Sequence, residues 1–157
     1  MFGLPKSIVS RLTFNGLLRV NASKDTATIR DILDQMTARW PMDVVIVDRD
    51  TYYNLLLNIR AQEMLQRETT LMKDDPYNLY HRTNLALAYL RLKKPEETMK
   101  VYHDANIQWD QAPVQAIVVY AATLSANGRN TQARRMIHLL DQDSLRTEER
   151  ALVKSIR

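Results

Sequence analysis

The chain has 157 residues, 45% hydrophobic and 25% charged, with no cysteine and a formal net charge of +4. That length supports a sizeable core, and the absence of cysteine excludes disulfides, thiolate metal sites and cysteine nucleophiles. Mean hydropathy is −0.37, and polar residues break every apolar run well before the roughly 18 positions a membrane span needs, so no membrane insertion is expected. Three glycines and five prolines suit an all-α protein whose elements are joined by short connections.

Residues 1–24 carry Lys6, Arg11, Arg19 and Lys24 and no acid, which is the composition of a mitochondrial transit-like segment. The same residues also read as an ordinary first helix running from Pro5, with Ile8, Val9 and Leu12 on one face. Asp25 caps a helix whose Ile29, Ile32, Leu33 and Met36 fall at helical spacing, and Trp40-Pro41 ends it. Asp43 to Val47 has strand propensity but no partner strand, so it reads as a buried connector leading to an N-cap at Asp48 or Asp50. Thr51 to Met72 places Tyr52, Leu55, Leu56 and Ile59 on one face, and nothing in it decides between one helix and two. Asp75-Pro76 reads as a cap followed by proline at the first helical position. Lys94-Pro95-Glu96-Glu97 opens the next helix, with its acids where the helix dipole favours them. Pro113 opens another, Asn127-Gly128 closes it, Asn130 caps its partner, and a last helix runs from about Leu145.

Between Thr83 and Leu140 one pattern is written twice. Leu85 and Tyr120, Ala86 and Ala121, Tyr89 and Leu124, Lys93 and Gly128, Thr98 and Ala133, Tyr102 and Ile137, and Ala105 and Leu140 are each 35 residues apart. A fixed period of this size marks stacked helix-turn-helix units that bury their apolar faces against their neighbours. The expected core contains Ile32, Leu33, Leu56, Leu85, Tyr89, Tyr102, Tyr120 and Ile137.

Thr13-Phe14-Asn15-Gly16-Leu17-Leu18 followed by Asp31-Ile32-Leu33-Asp34-Gln35-Met36 resembles the opening and closing phrases of a pentatricopeptide repeat. Asp43-Val44-Val45 with Thr51-Tyr52-Tyr53-Asn54-Leu55-Leu56 repeats the phrase, and Ala121, Asn127-Gly128-Arg129 and Ala133 are similar to a tetratricopeptide repeat. The resemblance implies a short α-solenoid of antiparallel helix pairs, a single domain over 1–157 with three to four units near 13–50, 51–80, 81–115 and 116–150.

Pentatricopeptide proteins usually read RNA through a polar residue on the first helix of each unit. The matching positions here are Gly16, Leu55, Asn84 and Val119, so only Asn84 offers base-edge chemistry. Arg134 and Arg135 lie on a second helix and read as a solvated face. Enzyme chemistry has no constellation either. His81, His103 and His138 include no i, i+4 ligand pair, isolated glycines make no phosphate loop, and the paired acids Asp74-Asp75 and Glu96-Glu97 sit at helix starts. The expectation is therefore no catalytic residue, no metal and no cofactor.

An array of this size with mute base-reading positions resembles the pentatricopeptide-type accessory subunits on the catalytic head of the euglenozoan mitochondrial ATP synthase. That resemblance implies protein subunits of a larger complex as partners, in the mitochondrial matrix. Tyr77, Tyr80 and Trp109 are the candidate partner-binding anchors. The alternatives are an RNA-associated protein of the mitoribosome or RNA-processing machinery, and a tetratricopeptide adaptor.

Overall fold

A computed structural model describes residues 6–22 and 25–156, apart from the side chain of Val9. Among these residues the regular structure is entirely helical, and no helix is long and apolar enough to cross a membrane. The chain forms two compact units, residues 1–53 and 54–157, with the division inside one helix.

The first unit contains α1 (Lys6–Val20), α2 (Thr26–Arg39) and most of α3 (Val44–Leu56). Asp25 caps α2 as expected, its Oδ1 accepting from the Thr28 amide at 2.8 Å. The core joins Phe14 and Leu18 to Ile29, Ile32, Leu33, Met36 and Ile46, with Trp40 and Tyr53 packed against it. The buried stripe of α1 is thus Phe14 and Leu18, whereas Ile8 and Leu12 are exposed. The remaining members of the expected face, Pro5 and the Val9 side chain, lie outside the described residues. The Arg11 guanidinium stands 5.1 Å from the centre of the Trp40 ring and reaches Asp43 Oδ2 at 2.7 Å.

Val44 to Val47 are helical, not a connector. Asp43 supplies the start, its Oδ1 accepting from the Ile46 amide at 3.2 Å and its carbonyl from the Val47 amide at 3.0 Å. A β-branched run costs only a few tenths of a kcal/mol per residue in a helix, and this cap together with burial of Ile46 and Val47 outweighs it. Asp48 and Asp50 are consequently mid-helix residues, not caps.

The second unit contains the end of α3, then α4 (Ala61–Asp74), α5 (Leu79–Arg91), α6 (Pro95–Val101), α7 (Val114–Ala126), α8 (Asn130–Ile137) and α9 (Thr147–Val153). The segment 51–72 is therefore broken into two helices. α5 packs on α4, α6 and α7, and α7 packs on α6, α8 and α9. Asn130 is the first residue of α8 rather than its cap, which falls on Arg129. The last helix starts at Thr147 after a 3₁₀ turn at Gln142–Ser144.

The 35-residue period is written into the turns. Both ends of α5 and α7 differ by 35 positions, and so do both ends of α3 and α5. Asn58, Lys93 and Gly128 follow at the same spacing, all left-handed, with φ of 56°, 57° and 74°. After each, the next amide reaches back five residues: Ile59 to Asn54 O at 2.8 Å, Lys94 to Tyr89 O at 2.9 Å and Arg129 to Leu124 O at 2.8 Å. That is a Schellman ending, repeated in register. The hairpins therefore open at Val44, Leu79 and Val114, ahead of the expected starts at Thr51, His81 and Ala116.

Side chains tie one turn to the next. Asn127 Nδ2 donates to Pro95 O at 2.8 Å and Thr98 Oγ1 at 3.2 Å, joining the end of α7 to the start of α6. Arg91 donates from Nε to Leu55 O at 2.7 Å and from Nη2 to Leu56 O at 2.6 Å, capping carbonyls at the end of α3. Of the expected core, Ile32, Leu33, Leu56 and Tyr102 are buried. Leu85, Tyr89, Tyr120 and Ile137 are only half-buried. The centre is taken by small residues, Ala86, Ala88 and Ala121, with Leu87, Val118 and Leu124, which let helices approach closely and push the larger side chains to the rim.

Candidate functional site

The start of α5 sets the geometry. Asp75 is the C-cap of α4, its amide donating to Leu71 O at 3.1 Å, and does not open α5. Asn78 does so, its Oδ1 accepting from the Tyr80 amide at 3.0 Å and the His81 amide at 3.4 Å. Asn and Asp are equal as caps, so the later residue wins here and leaves Pro76-Tyr77 in the connection. Tyr77 is consequently 85% exposed, and Tyr80, on the first turn of α5, 54%. Trp109 stands elsewhere. It lies on the 3₁₀ turn Trp109–Gln111, half-buried, stacked on the Tyr120 ring at 4.1 Å and 4°. Tyr77 and Tyr80 thus both face solvent at the start of α5, whereas Trp109 is a packing residue of the α6–α7 connection.

The inner face of α5 is polar and sealed. Glu68, on α4, is 0% exposed, and His81 and Asn84 are each 2% exposed. Glu68 Oε1 accepts from Asn84 Nδ2 at 3.1 Å, and Oε2 lies 3.3 Å from His81 Nδ1. His81 therefore differs from His103 and His138, both of which are exposed; His103 Nδ1 is 2.8 Å from Asp104 Oδ1. Glu68 was not singled out from the sequence. Its signal is positional, four residues after Met64 and three after Leu65 on the buried stripe of α4. Chemically, the trio locks α4 to α5, because each member of a buried polar network is costly to leave unpaired.

Asn84, the one polar base-reading candidate, is thereby inside the fold and bonded to Glu68. Leu55 and Val119 are fully buried. The observed register replaces Leu55 by Arg49 as the counterpart of Asn84 in α3, 35 residues earlier, and Gly16 lies on α1. Arg134 and Arg135 are exposed on α8. No family model, curated protein or solved structure matches the chain.

A second polar irregularity lies between the aromatic groups. Arg82 is 8% exposed and Tyr102 7%. Arg82 donates from Nε to Pro76 O at 3.1 Å and from Nη1 to Val101 O, while the Tyr102 hydroxyl is sealed without a partner. Burial holds that phenol far above its usual pKa, the nearby Tyr120 adds to the rise, and the Arg82 charge opposes it. Tyr102 stays neutral at any physiological pH.

Proposed function

We propose that this chain is a non-catalytic docking module, an accessory subunit that binds protein subunits of a mitochondrial complex, with the ATP synthase catalytic head as its partner in the matrix. The observation that carries the reading is the pair Tyr77 and Tyr80, large aromatic side chains left in solvent at the start of α5 by the Asn78 cap. Exposed tyrosines on a rigid helical scaffold are the usual anchors of protein interfaces. The pentatricopeptide resemblance supplies the partner, and the register of the Schellman turns supports the repeat reading. Burial of Asn84 counts against base reading by an RNA-binding relative.

Affinity purification from mitochondria tests the proposal. Catalytic-head subunits should be recovered with the chain at a fixed ratio. Their absence under conditions that keep the synthase intact would defeat it. Recovery of ribosomal or RNA-editing proteins instead would favour the RNA-associated reading, and recovery of cytosolic chaperones the tetratricopeptide adaptor.

A further inference from the structure

Position 82 departs from its own repeat. Thirty-five residues before and after it stand Val47 and Ile117, both buried, and an arginine takes the equivalent place in the middle hairpin. Its guanidinium is fixed by the carbonyls of Pro76 and Val101. Among the described residues no carboxylate pairs with it. Two of its five donors are thus engaged, by neutral acceptors, and no described neighbour neutralises the charge. A buried cation in this condition is expensive, and an apolar residue such as its repeat counterparts would avoid the cost.

The two carbonyls that hold Arg82 also place it. Pro76 precedes Tyr77, which is 85% exposed. Val101 precedes Tyr102, whose ring is 6.0 Å from Trp109. The guanidinium is therefore pinned where the exposed connection before α5 meets the aromatic end of α6. Its remaining N–H groups have a fixed direction and little entropy left to lose on pairing.

We propose that Arg82 is the charged centre of the docking surface and pairs with an aspartate or glutamate side chain of the partner protein, beside Tyr77. This rests on the docking reading above and adds the chemistry of the partner. An arginine with an aromatic neighbour is the composition of an interface hot spot, and a carboxylate supplies the planar acceptor that a guanidinium matches.

The test uses the full chain and a short acetylated peptide bearing one glutamate among leucines, with a glutamine twin. The Arg82 Nε–Hε signal, followed by ¹H–¹⁵N spectroscopy, should move to saturation with the glutamate peptide and not with its twin. Arg82→Met, which replaces the cation by an apolar side chain, should stay folded and bind the peptide about thirtyfold more weakly or worse, as expected when one partner of a desolvated charge pair is removed. Equal response to both peptides, no response to either, or unchanged binding by folded Arg82→Met would overturn the proposal. So would a response to a short RNA oligonucleotide in place of the glutamate peptide. If Arg82→Met does not fold, the peptide comparison on the unaltered chain decides. Copurification separates the two levels: loss of head subunits with the unaltered chain sinks the docking reading, whereas their full retention by folded Arg82→Met sinks only the role of Arg82.

Discussion

Replacing Gly128 by alanine isolates the backbone term on which the repeated turn depends. Gly128 has φ +74°, and a Cβ built there meets nothing within 4 Å, so packing clashes drop out. What remains is the left-handed conformation, which costs an L-residue roughly 1–2 kcal/mol. The less flexible unfolded chain of the alanine variant returns about 0.4–1 kcal/mol. The net loss is then up to about 1.6 kcal/mol, a fall in Tm of up to roughly 6 °C for a chain of this size. Gly128→Asn should lose less, because asparagine visits this region more readily and Asn58 already occupies the same place in the first of the three turns. Lys93→Gly should go the other way and gain a similar amount, since Lys93 holds φ 57° without being glycine. Thermal unfolding followed by circular dichroism reads all three. A Gly128→Ala variant more stable than the parent, or a destabilised Lys93→Gly, would refute the common left-handed turn.

Other substitutions probe the packing and the buried polar groups. Tyr102→Phe removes a sealed hydroxyl without a partner and should leave stability unchanged or raise it by up to about 1 kcal/mol, whereas Tyr102→Ala should cost about 3–5 kcal/mol; urea titration measures both. Arg91→Ala deletes the donors to Leu55 O and Leu56 O and should cost about 1–3 kcal/mol in the same titration, allowing for partial exposure. The Arg11 guanidinium holds the Asp43 carboxyl below its usual pKa. Its contribution is therefore fully present above the unfolded value of about 3.9 and disappears as the pH falls through the lower folded value. In Asp43→Asn that part of the acid dependence should vanish from pH-dependent melting. Elemental analysis and nucleotide calorimetry on the purified chain are expected to find neither a stoichiometric metal nor a micromolar nucleotide site; a stoichiometric metal would make the Glu68–His81 pair a ligand set.

The period was legible between Thr83 and Leu140 because the apolar and small positions recur there, and Gly128 marks a turn openly. The preceding copy was hidden for two physical reasons. Val44 to Val47 carries strand propensity that the Asp43 cap overrides, and the left-handed position of that copy is filled by Asn58, which does not announce a turn as glycine does. For the same reason the break between α3 and α4 could not be read. At the candidate site, the aromatic residues were visible but their exposure was not. Whether Tyr77 stood on a helix or outside it turned on competition between Asp75 and Asn78 for the cap, which is decided by backbone geometry. The Glu68 partnership of Asn84 depends on α4 meeting α5 in one rotation, and no short-range pattern encodes it.

The most direct test of the docking claim is a binding titration between the purified full chain and the purified, intact catalytic head of the ATP synthase, followed by sedimentation. Saturable binding at a fixed stoichiometry is expected, weakened by about tenfold or more when Tyr77 and Tyr80 are both replaced by alanine, the scale of an anchor's loss. No binding to the intact head, or binding unaffected by the double replacement, would contradict the claim.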